Sequence, residues 1–600
     1  MKKKSLYIWG LFVLLTTIAF QIHCAIRGFD LTDEGYLMSL YLWAGSDVNY
    51  AQGVGGYPLT CYIGSLVHTI SPELGILGMR LWGILVVGLT EIAVFFFLKK
   101  LFNWPMVLIG IVMQAIFVAG DPKPFGYNTL TALLYVVAVA FMVNGMVKRS
   151  YMPLLLSGLL LGAGVFIRLP NVACLALLTA PFVILIGQWD GKVFKRASLQ
   201  AFVMLLGFLS AGIGTWLYLV SIGYDSLVTE FLASITGQLN GNSTHASSSL
   251  INKYLSNYGL CIWIFAIFAL GTLVSTVSIE LKNRLLMLVG LVVAFLIVYR
   301  STYMASNELG NTILALMNGI GIFGCCYYLN KSLKQRFAAY CALLCSFIVP
   351  LGSDGGYQTM WVGTWLSLPV GLSGLFEFCQ DVRHHNASII VSIDNTRFAD
   401  NVFSLSMENF HKGYFFCLFA FLVALVAKIE RKAYYDPGNR FDKIYAIDSP
   451  MAEGIYTVKK RAAILNPLLK ELPKHVSAGD ELLVYDSSPL IYYLTKTRPF
   501  AGISWPCVFY GEEYVRRFSK AEQESKQLPV LVLQHFYSSN NWSKVSTFYY
   551  NPKANTGFSS KEMSRNILDF IKRRNYRKVW SNGYYDIMLP DGKPVQRERQ

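Results

Sequence analysis

The chain has 600 residues, of which 54% are hydrophobic and only 15% are charged, and its mean hydropathy is +0.42. A soluble domain of average composition has about 25% charged residues, so this composition excludes an ordinary soluble protein. The net charge of +16 does not indicate nucleic-acid binding, because much of the Lys and Arg lies in short loops between apolar runs, as membrane topology predicts. The 11 cysteines contain no CxxC pair, and no disulfide framework is expected.

The apolar runs predict a polytopic α-helical membrane protein with about thirteen transmembrane helices, since one span needs roughly 20 mostly apolar residues. The first run follows MKKK and is expected to remain as an uncleaved helix, because it lacks an A-x-A-like cleavage site. The predicted spans are Ser5–Cys24, Leu74–Leu98, Pro105–Ala119, Thr129–Val147, Met152–Ile167, Val172–Gly187, Leu199–Ile222, Tyr258–Ile279, Leu285–Tyr299, Thr312–Leu329, Phe337–Leu351, Trp361–Phe378 and Gly413–Ala427.

Positive charge alternates between the loops, and this predicts the orientation of the chain in the plasma (inner) membrane. The positive-inside rule places the N-terminus and the Lys/Arg-rich loops in the cytoplasm. An odd number of spans then places the loops 25–73 and 223–257, and everything after the last span, on the extracytoplasmic side. Three basic residues just after that span, Lys428, Arg431 and Lys432, oppose this orientation, and the side of the segment 380–412 stays open.

Two domains are predicted, a transmembrane domain over residues 1–428 and a small soluble α/β domain over 429–600. In the second, ELLVYD (Glu481–Asp486) and PVLVLQHF (Pro529–Phe536) are typical of buried strands, and helical patterns precede and separate them. A final hairpin is predicted around Asn582-Gly583. Strands alternating with helices indicate an α/β layer, which we interpret as a lid or substrate-docking domain rather than a second catalytic domain.

Charged residues at the predicted outer ends of the spans are the main candidates for a functional site. A charge at the centre of a membrane helix costs on the order of 2.5–3.5 kcal/mol on insertion scales, so charges near span ends need an explanation. One outer cavity could collect them: Asp30, Asp33, Glu34, Asp121, Lys123, Arg168, Arg300, Glu308 and Asp354. For the basic residues, phosphate binding competes with snorkelling to the interface. His245 lies in the Gly/Ser/Asn-rich loop, where the alternative to a role in the site is an ordinary surface residue. For Asp354, the alternative is a residue that only forms a turn.

The sharpest segment is FDLTDEGYLMSLYLWAG, Phe29–Gly45. Thr32 is predicted to be an N-cap, with Asp33 and Glu34 in the first turn of a helix that lies in the plane of the membrane interface. Two interpretations stay open. The acids either complement the helix dipole, or one of them serves as a general base towards an acceptor hydroxyl.

Four features of this sequence resemble those of one enzyme superfamily. They are Asp33-Glu34-Gly35-Tyr36 directly after the first span, DPKPFGYNTL (Asp121–Leu130) between spans three and four, the small-residue helix LSGLLLGAGVFIRLPN (Leu156–Asn171), and the layout of about thirteen spans plus a soluble tail. This ordered combination resembles the GT-C superfamily of polyprenyl-phosphate-dependent glycosyltransferases, which includes the protein mannosyltransferases and the aminoarabinose transferase that modifies lipid A.

The resemblance implies an inverting transfer of a sugar from a polyprenyl-phosphate donor to an extracytoplasmic acceptor, which is a glycan, lipid or protein. By the same resemblance, Asp33 or Glu34 would be the base, and Arg168, Arg300 and Lys123 would bind the donor phosphate. Further cavity candidates are Asp30, Tyr36, Asp121, Tyr127, His245, Glu308 and Asp354. The first loop lacks the DxD triplet of metal-using oligosaccharyltransferases, so neither a metal nor another cofactor is expected.

Two rival functions are weighed against the transferase. An O-antigen ligase or polymerase also acts on lipid-linked glycans, but such enzymes usually carry their key loop late in the chain, whereas here the best acids lie in the first loop. A lipid-linked glycan flippase or transporter would predict repeated halves and broken helices at the membrane midplane. The sequence shows no such repeat, and its unusual charges lie at span ends.

Overall fold

The structure is a computed structural model in which helices form a bundle and a mixed sheet lies against one end of it. It describes residues 3–47, 50, 56–120, 125–185, 190–229, 254, 309–351, 359–393, 422–423, 425–427, 429–430, 432–433, 436–509, 511–536, 538, 542 and 561–591. The helices of the bundle and its first loop are α1 (Lys3–Ala25), α2 (Asp33–Ala44), α3 (Pro58–Ile70), α4 (Gly75–Leu98), α5 (Trp104–Ala119), α6 (Tyr127–Lys148), α7 (Tyr151–Ile167), α8 (Gly191–Ser221), α9 (Leu309–Tyr328), α10 (Leu333–Ile348) and α11 (Trp361–Ile393).

Ten of the thirteen predicted spans overlap a helix of the described residues. The other three, Tyr258–Ile279, Leu285–Tyr299 and Gly413–Ala427, lie wholly or mostly outside the described residues. Within the described part, four segments are long and apolar enough to cross a membrane: Ile8–Ala25, Pro72–Leu98, Tyr127–Lys148 and Gly191–Ser221. Four shorter apolar helices accompany them: Trp104–Ala119, Tyr151–Ile167, Leu169–Leu185 and Ile313–Tyr328.

The sixth predicted span differs in its type of helix. Leu169–Leu185 is a 3-10 helix of 17 residues. A 3-10 helix rises about 2.0 Å per residue instead of 1.5 Å, so this segment is roughly 34 Å long, enough for a hydrocarbon core about 30 Å thick. The tighter winding therefore lets a short apolar run reach as far as a longer α-helix.

Small residues bring neighbouring helices of the bundle close together. A Cβ added to Gly158 or Gly162 of α7 would lie 2.1 Å from the carbonyl oxygen of Met204 or Phe208 in α8. A Cβ added to Gly324 of α9 would lie 2.4 Å from the Cα of Gly371 in α11. Such contacts are typical of membrane helices, where small residues allow backbones to approach. The small-residue pattern of Leu156–Asn171 is explained by this packing.

The C-terminal part contains a five-stranded sheet in the order β6-β5-β7-β9-β8, parallel over β6, β5 and β7 and antiparallel beyond. The strands are β1 (Lys432–Ala433), β2 (Asp436–Pro437), β3 (Tyr445–Ala446), β4 (Tyr456–Thr457), β5 (Glu481–Tyr485), β6 (Arg498–Pro499), β7 (Val530–Gln534), β8 (Arg577–Ser581) and β9 (Tyr585–Leu589). The helices are α12 (Lys459–Glu471), α13 (Leu490–Thr495), α14 (Gly511–Glu524) and α15 (Lys561–Arg573). Short 3-10 turns are Pro72–Leu74, Arg440–Asp442, Pro450–Ala452, Leu472–Lys474, Phe500–Gly502 and Pro506–Val508.

The two faces of this sheet bury different partners, because alternate residues of a strand point to opposite faces. Leu483 and Leu531 pack with Phe518 of α14 and Phe570 of α15. On the other face, Val484 and Val532 share one hydrophobic cluster with α12, with Met79 of α4, and with residues of the first loop: Phe29, Leu31 and Met38. The first loop thus forms part of the core of the C-terminal domain, and the two parts are packed as one unit.

Candidate functional site

The first loop lies where several helices of the bundle meet. We call this the loop end: α1, α5 and α7 end there, and α4 and α6 begin there. Arg440 connects the carbonyl oxygens of Cys24 and Gly120, which end α1 and α5. The amide of Phe125, just before α6, donates to the carbonyl of Met79 in the first turns of α4. The candidate residues of the first loop are therefore held against several helix ends at once.

Thr32 is the N-cap residue of helix α2, as predicted, but the capping hydrogen bonds come from the carboxylate of Asp30. One oxygen of the Asp30 carboxylate accepts from the amide and the hydroxyl of Thr32, at 2.9 and 2.6 Å, and the other accepts from the amide of Glu34 at 3.0 Å. The side chain of Thr32 makes no capping bond. Burial raises the pKa of Asp30, and these hydrogen bonds oppose the rise. Asp30, predicted as a cavity residue, thus shapes the start of α2.

Glu34 is fully engaged by a buried arginine. Arg80 of α4 donates from Nε and Nη2 to the two carboxylate oxygens of Glu34, each at 2.6 Å. Its remaining N–H groups donate to the carbonyls of Ala25 and Gly28, so that the donors of the guanidinium fork are all used. Burial raises the pKa of Glu34, and the charge of Arg80 opposes the rise. Each oxygen of Glu34 thus accepts one charge-assisted hydrogen bond from Arg80.

Asp33 has the opposite environment to its neighbour. It is exposed, whereas nine residues of α2, including Glu34, Tyr36 and Tyr41, are buried. Neighbouring helical residues point about 100° apart, so the first turn directs one acid inward and the other outward. That α2 lies in the plane of the membrane interface stays a prediction. In the structure, α3 and α13 cover the helix, and Asp33 lies at its exposed edge.

A chain of contacts runs from the Asp33 turn to Arg168. Tyr36 lies one turn after Asp33, and its hydroxyl is hydrogen-bonded to that of Tyr57. The Tyr57 ring lies against that of Tyr127, with 4.8 Å between their centroids. Next to Tyr57, the carbonyl of Gly56 accepts from the amide of Leu169 at 2.7 Å. The predicted candidates Tyr36 and Tyr127 are thus brought together, and the residue that joins them was not predicted.

Arg168 ends helix α7 at the loop end of the bundle. It is 5% exposed, and its Nη1 donates to the carbonyl of Val349 at the end of α10 at 3.1 Å. The hydroxyl of Thr60 in α3 donates to the preceding carbonyl, that of Ile167, at 2.8 Å. The backbone on both sides of Arg168 is therefore fixed by the segment that begins α3, and its guanidinium is anchored to a second helix end.

Three buried arginines bind the short segment that leads from α1 to the Asp30 cap. Arg80 binds the carbonyls of Ala25 and Gly28, Arg440 those of Cys24 and Arg27, and Arg461 that of Phe29 at 3.1 Å. They come from α4, from the 3-10 turn after the bundle, and from α12. We call this arrangement the arginine clamp. It fixes the backbone that immediately precedes the acids.

The clamp continues into a small ionic cluster in the C-terminal domain. Arg461 pairs with the buried Asp436, with 3.4 Å between Nε and Oδ1, and its guanidinium lies 4.6 Å from the centroid of the Trp542 ring. Burial raises the pKa of Asp436, and the charge of Arg461 opposes this rise. Removing either partner would take away the largest opposite charge that acts on the other in this buried cluster.

Six predicted site residues lie outside the described residues: Asp121, Lys123, His245, Arg300, Glu308 and Asp354. Some residues of this arrangement were not predicted. The sequence could have indicated Arg80, because a charged residue inside the apolar run Leu74–Leu98 needs a partner. It could not have indicated Arg440, Arg461 or Tyr57, since each lies in a segment of ordinary polar composition. Within the described ranges, no group of three or more His, Cys, Asp or Glu is placed to hold a metal ion.

Comparison with known proteins gives structural neighbours only. No protein-family model matches the sequence, and no curated protein matches it. The chain is similar to ArnT from Cupriavidus metallidurans bound to undecaprenyl phosphate, at 12% identity and a TM-score of 0.46 over 98% of both chains. It is also similar to the oligosaccharyltransferase AglB from Archaeoglobus fulgidus in complex with an inhibitory peptide and a dolichol-phosphate, at 13% identity and a TM-score of 0.41, over 88% of this chain and 69% of that one.

These neighbours are GT-C glycosyltransferases. They belong to the superfamily that the sequence motifs resemble. At identities near 12%, this likeness concerns the fold.

Proposed function

We propose that the protein is a membrane glycosyltransferase that moves a sugar from a polyprenyl-phosphate donor to an acceptor hydroxyl or amide outside the cytoplasm. The observation that carries this proposal is that two adjacent acids have different environments. Arg80 occupies both oxygens of Glu34, while Asp33 is exposed at the start of a helix that is otherwise buried. A rigid helix that presents one carboxylate suits a general base, which needs a fixed position relative to its proton donor.

The donor phosphate is proposed to bind near Arg168, with Lys123 and Arg300 as further candidates. A guanidinium can hold phosphate oxygens through paired hydrogen bonds, and the guanidinium of Arg168 is prearranged by Val349. Contacts through Tyr36 and Tyr57 connect this residue with the Asp33 turn. Donor and base would then lie at the same end of the bundle, as a direct displacement requires.

The reaction follows from these two groups. The acceptor gives its proton to the Asp33 carboxylate as its oxygen or nitrogen forms a bond to the anomeric carbon. The bond from that carbon to the phosphate oxygen breaks, and its electron pair stays on the polyprenyl phosphate. Attack from the side opposite the phosphate inverts the anomeric centre. The leaving phosphate is already stable as an anion, so it needs positive charge around it more than a proton.

The loop end is proposed to face away from the cytoplasm. Lys99 and Lys100 follow α4, and Lys148 and Arg149 end α6, at the end of the bundle opposite to the first loop. Basic residues at short loops indicate the cytoplasmic side. The C-terminal domain, which packs on the first loop, would then lie outside the plasma membrane as a cover for the site.

The proposal is tested by replacing single carboxylates in protein reconstituted into liposomes. Asp33→Asn is expected to lower sugar transfer from undecaprenyl-phosphate donors by about 10²–10⁴-fold, the usual contribution of a general base. Glu73→Gln is the matched control, because Glu73 is also an exposed acid of the first loop, and it should retain full activity. Full transfer by a folded Asp33→Asn variant would contradict the proposal. Movement of labelled donor across the bilayer without transfer would favour a flippase.

A further inference from the structure

The C-terminal domain exposes large apolar side chains in one short stretch after the bundle. Phe441 is 59% exposed, Ile444 63%, Tyr445 39% and Tyr456 36%. Elsewhere in the described C-terminal domain, comparable exposure of a large apolar side chain occurs at Val508. A cluster of exposed apolar residues on an otherwise polar surface usually marks an interaction site. We call these four residues the apolar patch.

The first half of the patch is fixed to the last turn of α1. The Phe441 ring lies 5.9 Å from the ring of His23 and 5.3 Å from the guanidinium of Arg27. The neighbouring Arg440 is fully buried and donates to the carbonyls of Cys24 and Ile429 at 3.0 and 2.8 Å. Phe441 therefore lies beside the residues at which α1 ends.

The second half of the patch lies at the same level. Tyr456 forms a parallel bridge with Arg27, with its amide donating to the carbonyl of Ile26 and its carbonyl accepting from the amide of Gly28, each at 2.9 Å. Tyr445 belongs to the strand that pairs with this one. Phe441 and Tyr456 are thus held next to residues 23–28, and Ile444 and Tyr445 follow Phe441 within four residues. This position comes directly after the apolar segment Ile8–Ala25, which is long enough to cross a membrane.

We infer that the apolar patch inserts into the interfacial region of the lipid bilayer and so seats the C-terminal domain on the membrane surface. Phe441 lies beside His23, the residue that follows Ile22, and the side chains of Ile22 and Leu15 on α1 are 41% and 57% exposed. Lipid around this end of α1 would therefore also reach Phe441. Aromatic residues such as Tyr are favoured at the membrane interface, because the apolar part of the side chain contacts lipid while its polar end contacts water.

The depth of insertion follows from the polar residues within the patch. Asp442, between Phe441 and Ile444, is exposed, and a carboxylate is costly in the hydrocarbon core. The Tyr hydroxyls also need polar partners. The patch therefore lies among the headgroups and the first carbons of the acyl chains. Since the exposed surface is mainly apolar, attraction to anionic lipid is not the main cause of binding, and salt should alter it little.

Site-specific photo-cross-linking tests this inference directly. The full-length protein would carry the photoreactive residue p-benzoyl-phenylalanine at position 441 or 444, in liposomes of phosphatidylethanolamine and phosphatidylglycerol that contain a radiolabelled phospholipid. Both positions are expected to give labelled lipid adducts on irradiation, at a yield several times that of position 520. Lys520 is the matched control, since its side chain is 69% exposed on α14, on the opposite face of the sheet.

Two outcomes would overturn the inference. Lipid adducts at positions 441 and 444 that do not exceed those at position 520 would show that the patch is not in the bilayer. A cross-linked species of twice the mass, in place of lipid adducts, would show that a second copy of the chain covers it. Position 444 is included so that misfolding cannot explain a negative result, because replacing a side chain that is 63% exposed should leave the fold intact. Neither result depends on glycosyl transfer.

Discussion

At the scale of single residues, adjacent acids in the sequence serve different purposes. Glu34 forms a bidentate ion pair with Arg80, and Asp30 caps the start of the helix by accepting hydrogen bonds from two amides. Asp33 is the acid of this turn that remains exposed. The sequence offered Asp33 and Glu34 as equal candidates for the proposed base, because their different environments depend on Arg80, which lies 46 residues away from Glu34 in the chain. The structure provides that missing partner.

The buried pair predicts a large loss of stability when one partner is removed. Arg80→Met should lower the free energy of unfolding by about 3–5 kcal/mol, since it leaves the Glu34 carboxylate buried without its partner. Lys331→Met is the matched control, because Lys331 pairs with Asp381 at 2.8 Å but the side chains are 36% and 51% exposed, and an exposed pair contributes about 0–1 kcal/mol. Thermal unfolding in detergent measures both changes. Equal shifts would show that the burial of the first pair does not matter.

At the scale of helices and strands, patterns of hydrophobicity predicted most of what is observed. The predicted strands Glu481–Asp486 and Pro529–Phe536 match β5 and β7, and the hairpin around Asn582-Gly583 matches β8 and β9. The sequence missed α3, because its 13 residues are too few to span a membrane. It also missed that α2 is covered on several sides, since that depends on where the C-terminal domain docks.

Gly35 offers a test of how closely these elements pack. A Cβ at this position would lie 2.3 Å from the backbone nitrogen of Leu490 at the start of α13. Gly35→Ala gains about 0.5–1 kcal/mol of helix propensity but overpacks the contact, which typically costs 1–3 kcal/mol. We therefore expect a net loss of stability and, because Asp33 lies in the same turn, a loss of sugar transfer.

The control for this variant is Gly212→Ala. Gly212 also lies within a helix, α8, but an added Cβ would meet nothing within 4 Å. Only the gain in helix propensity applies there, so its unfolding temperature should stay the same or rise slightly. If Gly35→Ala behaved like Gly212→Ala, α2 and α13 could not be as close as 2.3 Å implies.

At the scale of the whole molecule, the C-terminal domain and the bundle act as one body around the first loop. Residues from both parts share a hydrophobic cluster, and the arginine clamp draws one residue each from α4, the segment after the bundle, and α12. The amide of Leu490 also donates to the carbonyl of Leu31. The sequence predicted a cover for the site, and the domain also holds the backbone segment from which α2 begins.

Arg461 is the residue at which this coupling can be measured. Arg461→Met removes the bond to the Phe29 carbonyl and leaves Asp436 without its ion-pair partner, so we expect a loss of about 3–5 kcal/mol in stability. If the clamp positions Asp33, transfer activity measured well below the unfolding temperature should also fall, mainly through kcat rather than KM, because the geometry of the base is lost while the donor site near Arg168 is untouched. Lys459→Met, an exposed change on the same helix, should affect neither property. A destabilised Arg461→Met variant with unchanged kcat would show that Arg461 stabilises the domain without positioning the base.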